Sequence, residues 1–133
     1  MRKMLVFILV FLCSMTGYIT NGGAAMNVLK EAPYQDKGMG KKKLVDEKYL
    51  LMMQAALKPG QEVPQHTANS NVHIVVIKGK VVINLAGEKI TAEEGDLIPV
   101  AFGTPMNIKN LSDENATFLI LKTPNPSEMT GAE

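Results

Sequence analysis

The chain has 133 residues, which suffices for one domain of ordinary size and leaves no room for a second hydrophobic core. A hydrophobic fraction of 46% excludes a disordered chain. The net charge of +1 lacks the strong basic excess that nucleic-acid binding requires, so we expect one globular domain and no nucleic-acid partner.

The first 25 residues have the pattern of a secretory signal peptide. Arg2 and Lys3 precede an apolar run over residues 4–13, and residues 23–25, Gly-Ala-Ala, offer the small side chains of a cleavage site. The run is shorter than the roughly 20 residues that a bilayer span needs. We therefore predict cleavage after residue 25 and a periplasmic or secreted protein without a stable membrane span. The alternative is an uncleaved segment that anchors the chain.

Cleavage would change the chemistry of the mature chain. It removes Cys13 and Arg2, the one cysteine and the one arginine, so the mature chain has no disulfide and no thiol nucleophile. Of the 14 basic residues, Arg2 and Lys3 leave with the signal, and 12 lysines then stand against 13 acidic residues. The mature net charge is therefore about −1.

The mature chain divides into an arm, a β-rich region and a tail. Residues 26–43 have no sustained period and form an N-terminal arm, residues 44–123 form the domain, and residues 124–133 form a flexible C-terminal tail. The lysines at positions 41–43 are interpreted as a solvated strand edge rather than a binding patch.

Short apolar runs separated by turn signals fill the β-rich region. The predicted strands cover residues 49–57, 72–77, 81–85, 89–91, 97–100, 106–110 and 116–122, and a polar loop covers residues 61–71. No run after the signal has the 3.6-residue period of an amphipathic helix, which predicts an all-β sandwich or closed barrel. The run 49–57 is apolar on both faces, and we expect it to contact a partner subunit in a homodimer.

One cluster of spacings resembles the first motif of the small single-domain bacterial cupins. That motif has a glycine, five residues, His-x-His and a glutamate shortly after. Gly60 and His66 match the glycine and the first histidine. Ala68 stands where the second histidine is expected, and Val72 or His73 occupies the glutamate region.

A second cluster resembles the second cupin motif, in which a glycine, five residues, Pro-x-Gly, two residues, a histidine, three residues and an asparagine follow one another. Gly95, Gly103 and Asn110 match in spacing and identity. Ala101 replaces the proline and Met106 replaces the histidine. The resemblance covers about residues 44–122.

The resemblance implies an all-β chain folded as a cupin-like antiparallel β-barrel, also described as a double-stranded β-helix or jelly roll. It also implies a degenerate metal site, because complete cupins hold a divalent metal with three histidines and a glutamate. The candidate ligand-binding or metal residues are His66, His73 and Met106, and the catalytic residues are unknown. Imidazole suits Zn, Fe, Ni or Mn, whereas a thioether suits Cu(I). A divalent ion or copper thus stays open as a cofactor, and we expect none.

The remaining candidate for function is the interior of the barrel. We expect an apolar small-molecule cavity lined by Met53, Ala55, Val75, Ile77, Ile98, Met106 and Ile108. The favoured hypothesis is an exported small-molecule-binding or structural barrel with a weak or absent metal site. The alternative is a metal-dependent cupin enzyme of the dioxygenase, isomerase or epimerase type with an atypical ligand set.

Overall fold

The computed structural model describes residues 24–132, which form nine β-strands and one short 3-10 helix. Residues 1–23, and with them most of the predicted signal, lie outside the described residues. Within the described part of the chain, no helix has the length and apolarity to cross a membrane. The prediction of an all-β chain is confirmed.

The strands follow one another through short turns. Their bounds are β1 Gly40–Glu47, β2 Leu50–Leu57, β3 Glu62–Thr67, β4 Asn71–Lys78, β5 Lys80–Leu85, β6 Glu88–Glu93, β7 Leu97–Val100, β8 Pro105–Lys109 and β9 Ala116–Thr123. The 3-10 helix is Pro126–Ala132. β1 thus begins inside the predicted arm, and the helix lies in the predicted tail.

Two antiparallel sheets pack face to face and enclose the core. The five-stranded sheet has the order β1-β2-β9-β4-β7, and the four-stranded sheet has the order β3-β8-β5-β6. Consecutive strands alternate between the sheets over much of the chain, which gives the predicted barrel. The core is apolar and includes Phe118, Leu57, Ile74 and Ile83, all fully buried.

β3 occupies a segment that the sequence predicts as a loop, and that prediction is wrong for residues 62–67. Val63 is the one buried side chain of this strand, so the segment lacks the apolar run that predicts a strand. β3 forms because its backbone pairs with β8, where Glu62 is opposite Lys109 and His66 is opposite Met106. Pro64 is tolerated because β3 is an edge strand with an irregular register at that point.

β4 shows how the alternation of side chains divides its residues between two faces. Val72, Ile74 and Val76 are buried and point inward, whereas the residues between them are partly exposed on the outer face. Val75 and Ile77 are therefore wrongly predicted as cavity residues. Ile98 is buried in the core without lining the cavity.

β2 is an interior strand, which explains its two apolar faces without an exposed edge. It pairs with β1 on one side and with β9 on the other. On its outer face, Gln54 is fully buried because the N-terminal arm covers it, and its Nε2 donates to the carbonyl of Val28 at 2.7 Å. The same Nε2 donates to Thr117 Oγ1 at 3.0 Å.

The arm is tied to β1 by a close backbone approach at Gly40. A β-carbon at this position would overlap the carbonyl group of Pro33. At the far end of the barrel, Gly79 turns β4 into β5 with a φ of +77° and lies against the backbone at Asn115. These two glycines are required by close packing, and Gly79 also by its positive φ.

Asn110 and Asn125 close the loops that follow β8 and β9. Asn110 is fully buried, and its Nδ2 donates to the carbonyls of Leu57 at 3.0 Å and Glu114 at 2.7 Å. Asn125 is also buried, and its Nδ2 donates to Asp46 Oδ1 at 2.7 Å. Each buried amide thus finds hydrogen-bond partners where regular strand pairing ends.

Candidate functional site

A cavity of about 330 Å³ lies between the two sheets at the end of the barrel where β4 begins and β9 ends. Strands from both sheets line it. The apolar lining residues are Met39, Met53, Ala55, Val63, Pro64, Ala68, Val72, Ile74, Met106, Ile108 and Ile120. The polar ones are Lys41, Gln65, His66 and Lys122. The predicted lining is thus correct at positions 53, 55, 106 and 108.

The cavity exists because small side chains occupy inward positions at this end. Ala55 is 1% exposed and Ala68 is 3% exposed, so both point into the barrel without filling it. On β9, Ile120 lines the cavity, and the inward residue before it is Phe118. Phe118 is opposite Ala55 on β2 and Val76 on β4, and its ring fills the interior there. The cavity therefore ends where the aromatic ring begins.

His66 and Met106 lie side by side at this cavity. They are directly opposite one another in the β3–β8 pair, and both line the space. His66 is exposed, and its Nδ1 lies 2.9 Å from the carbonyl oxygen of Pro64. Met106 is 4% exposed. The Nε2 of His66 is thus the ring nitrogen free of that local contact.

His73 lies elsewhere. It follows the inward Val72 on β4, is opposite Leu121 and Pro99, and is partly exposed on the outer face of the five-stranded sheet. The strand alternation therefore separates His73 from His66 and Met106. The three residues that the sequence singles out do not form one cluster.

The donor set at the cavity does not fit a divalent metal ion. Among residues 24–132, no three histidine, cysteine, aspartate or glutamate side chains lie close enough to hold one. The lining offers one imidazole and three thioethers, together with two ammonium groups that repel a cation. Divalent sites in proteins take three or four nitrogen, oxygen or thiolate ligands.

Two lysines give the cavity a positive mouth, which the sequence prediction missed. Lys41 on β1 and Lys122 on β9 both line the space. Partial burial lowers the pKa of Lys122 below its usual value, and the charge of Lys41 lowers it further. Lys122 Nζ donates to Asn69 Oδ1 at 2.9 Å. The sequence carried no signal for this side chain, because residues 118–121 are uniformly apolar and do not reveal which face of β9 is inward.

The three lysines at positions 41–43 lie on the edge strand β1, where Lys41 and Lys43 are exposed, and their side chains have different neighbours. Lys42 Nζ lies 3.9 Å from Glu31 Oε1, and Lys43 Nζ lies 3.0 Å from Asp46 Oδ2. Lys41 has no ion pair with any residue that the structure describes and faces the cavity.

A second, shallower depression lies at the opposite end of β4 and β9, and it has the opposite chemistry. Turns and the adjoining strand ends form it. Its lining residues are Gly79, Lys80, Glu93, Glu94, Ser112, Asp113 and Glu114. It is polar and predominantly acidic, so the two ends of the barrel differ in both shape and charge.

Comparisons with known proteins agree on one family. A family model described as the cupin domain matches residues 53–122. An uncharacterized protein of Methanocaldococcus jannaschii is 30% identical over 92 residues, which cover 68% of this chain and 79% of that protein.

Solved structures give the same result. A crystal structure of an RmlC-like cupin family protein with a double-stranded β-helix fold, from M. jannaschii, has a TM-score of 0.66 and 26% identity. It covers 73% of this chain and 92% of that one. A structure from Thermus thermophilus has a TM-score of 0.70 at 23% identity, covering 75% of this chain and 96% of that one. The latter likeness concerns the fold alone.

Proposed function

The chain belongs to the cupin family, and from that premise we propose that it is a small-molecule-binding barrel with a weak or absent metal site. The supporting observation is the cavity of about 330 Å³ with a mostly apolar lining and a few polar groups at its mouth. Small-molecule sites in proteins have this character and begin at roughly this size, about 300 Å³. The metal ligands that would support a cupin enzyme reaction are not brought together in the described residues.

A neutral apolar probe tests this function. We expect 1-octanol to raise the melting temperature of the full chain, because a ligand that binds only the folded state stabilises it by about 2.7 kcal/mol at a hundredfold excess over its Kd. Ala68→Leu fills the cavity, so it should abolish this rise. Val82→Leu, on the other sheet and outside the cavity lining, is the control. No rise in the wild-type protein, with 1-octanol or with charged probes of the same chain length, would contradict the proposal.

The alternative, a metal-dependent protein, has one observation in its favour: the His66 imidazole and the Met106 thioether lie side by side. Nitrogen and thioether donors suit Cu(I). Thermal melts with Zn, Mn, Ni, Fe(II) and Cu(I) distinguish the two functions. We expect no rise with the first four ions and at most a modest rise with Cu(I). A rise of several degrees with Mn or Fe(II), lost in His66→Ala and kept in His73→Ala, would favour the enzyme.

We propose that the protein is exported and acts in the periplasm or outside the cell. Its basic, apolar and small-residue N-terminal pattern supports this, as does the irregular and exposed backbone at Ala24–Met26, where a peptidase would need access. N-terminal sequencing from the native host should give a start at or near Met26. Met1 on a cytosolic protein would contradict export.

We also propose that the outer face of the five-stranded sheet mediates homodimerisation. Met52, Leu121, Val75 and Leu97 are apolar residues on four neighbouring strands of this face, and Leu97 is 59% exposed. A second copy fits because the rows on β9, β4 and β7 contain no ammonium or carboxylate that a twofold axis would place against its own copy; Lys42, opposite Gln54, lies at the β1 edge of the sheet. Sedimentation should give a dimer at micromolar concentration, and Leu121→Lys should give a monomer. A wild-type monomer would contradict this.

A further inference from the structure

We propose that the ligand of the cavity is an organic anion, with its charged group between Lys41 and Lys122 and its apolar body inside the barrel. This inference rests on the proposed small-molecule function and adds the chemical class of the ligand. It concerns the mouth of the cavity, whereas the proposed function depends on the apolar space below.

The backbone register directs both lysines toward the cavity. Lys41 is opposite Ala55, and Lys122 is opposite Val72, and both of these partners line the space. Directly paired residues of neighbouring strands project to the same face of a sheet. The two ammonium groups thus come from two strands that flank β2 and converge on one opening.

In the part of the chain that the structure describes, the mouth has no carboxylate to neutralise this charge. Four other lysines lie within 4.0 Å of a carboxylate, in the pairs Lys42–Glu31, Lys43–Asp46, Lys58–Asp36 and Lys109–Glu62. Neither cavity lysine has such a partner among residues 24–132, and no aspartate or glutamate lines the space. The remaining ionisable lining residue is His66, which adds no negative charge.

Electrostatics favours an anion at this point. Burial and the neighbouring Lys41 charge lower the pKa of Lys122, which means that the fold destabilises the protonated form of its ammonium group. An anion between the two ammonium groups offsets both effects, because it supplies an opposite charge and reduces their mutual repulsion. The same field disfavours a cationic ligand.

The apolar lining determines the rest of the ligand. Below the lysines, the side chains of Met53, Ile74 and Ile120 offer contacts without a hydrogen-bonding group. A small inorganic anion would leave this surface empty, whereas an alkyl or aromatic carboxylate would bury its body there. A carboxylate with an apolar body therefore fits better than either a free inorganic anion or a neutral hydrocarbon.

Three probes with one alkyl chain and different head groups test the inference by isothermal titration of the full chain. These are octanoate, 1-octanol and octyltrimethylammonium. We expect octanoate to bind about tenfold more tightly than 1-octanol, and the cation to bind weakest. Octanoate affinity should also fall as salt concentration rises, whereas that of 1-octanol should not.

Substitution of the two lysines tests whether they cause the tighter binding of octanoate. Lys41→Gln/Lys122→Gln should reduce octanoate affinity to that of 1-octanol and leave 1-octanol unchanged. Lys42→Gln is the matched control, because it removes the same charge from β1 and Lys42 does not line the cavity. Circular dichroism checks that each variant keeps its strands.

The outcomes separate this inference from the proposed function. Equal affinities for octanoate and 1-octanol would contradict the inference that the ligand is an anion. The proposal that the cavity binds a small molecule would be unaffected. Tighter binding of octanoate that survives the double substitution would overturn the assignment of the lysines. Failure of all three probes to bind would overturn the small-molecule function and this inference with it.

Discussion

The two ends of the barrel are built from the same strands and have different interiors. At the end where β4 begins, alanines and methionines surround a cavity with two lysines at its mouth. At the other end, Leu57, Val81, Ala92 and Phe118 are 1% exposed or less and fill the interior. The acidic depression there involves the turns and does not enter the core.

This difference shows how one fold separates stability from binding. Interiors at native packing density lose stability when a side chain is removed or enlarged, so the filled end carries the fold. The open end tolerates change because its side chains already border empty space. A ligand can therefore be accommodated at one end without disturbing the other.

The largest expected effect comes from truncating the aromatic side chain at the filled end. Phe118→Ala should lower the free energy of unfolding by about 3–5 kcal/mol, because Phe118 is fully buried and leaves a cavity. Ile120→Ala, on the same face of β9 but at the cavity, should cost less than half as much. Urea denaturation measures both. Equal costs would contradict the division into two ends.

The second comparison enlarges one alanine at each end of the barrel instead of truncating a side chain, and its expected effects on stability are smaller. Ala92→Leu should destabilise the protein by about 1–3 kcal/mol, because its surroundings are already filled. Ala68→Leu places the same added volume beside the cavity and should change the free energy of unfolding by under about 1 kcal/mol. Thermal and urea unfolding of both variants checks this. A larger cost at position 68 would mean that the cavity does not accept a side chain.

The smallest expected effect concerns pH and the open end alone. The pKa of Lys122 is lower in the fold than its ordinary value of 10.5, so between these two pKa values the unfolded chain binds more protons. Stability contributed by this residue therefore rises with pH as Lys122 loses its proton, and is absent below the lowered pKa. Because the side chain is partly exposed, the rise should be under about 1 kcal/mol.

Unfolding free energies at neutral and alkaline pH measure this rise as a difference between variants. Lys122→Gln should remove it, whereas Lys42→Gln should keep it. The groups facing Lys122 are Lys41 and His66 at the cavity and the amide of Asn69, so no carboxylate offsets the trend among the described residues. An identical pH dependence in wild-type protein and Lys122→Gln would contradict the assignment to Lys122.

Much of the fold could be predicted from the sequence because its signals are local. Apolar runs between Gly and Pro turns predicted most strands, and Gly79 and Gly95 have the positive φ that their turns require. Asn110, interpreted as a residue at a strand end, does follow β8 and binds the loop after it. β3 could not be predicted, because its strand conformation depends on pairing with β8 rather than on its own side chains.

The candidate site was predicted only in part, because the face that a strand residue takes depends on strand pairing, as the formation of β3 does. Met106 and His66 lie at the cavity as their motif positions suggest, and Met53 and Ala55 line it. Val75, Ile77 and His73 lie on the outer face, because a strand of uniformly apolar residues does not reveal which face is inward. The pairing of β4 with β9 and β7 decides that.

The sequence by itself determined the all-β class, the turns at Gly79 and Gly95, and the motif positions of His66 and Met106. These features depend on residues that are neighbours in the chain. The tertiary structure alone decided that Lys41 and Lys122, 81 positions apart in the chain, face one cavity, with no carboxylate beside them among the described residues. Charge in a sequence is a sum over residues, whereas the charge at a site depends on which strands are neighbours and which face each side chain takes.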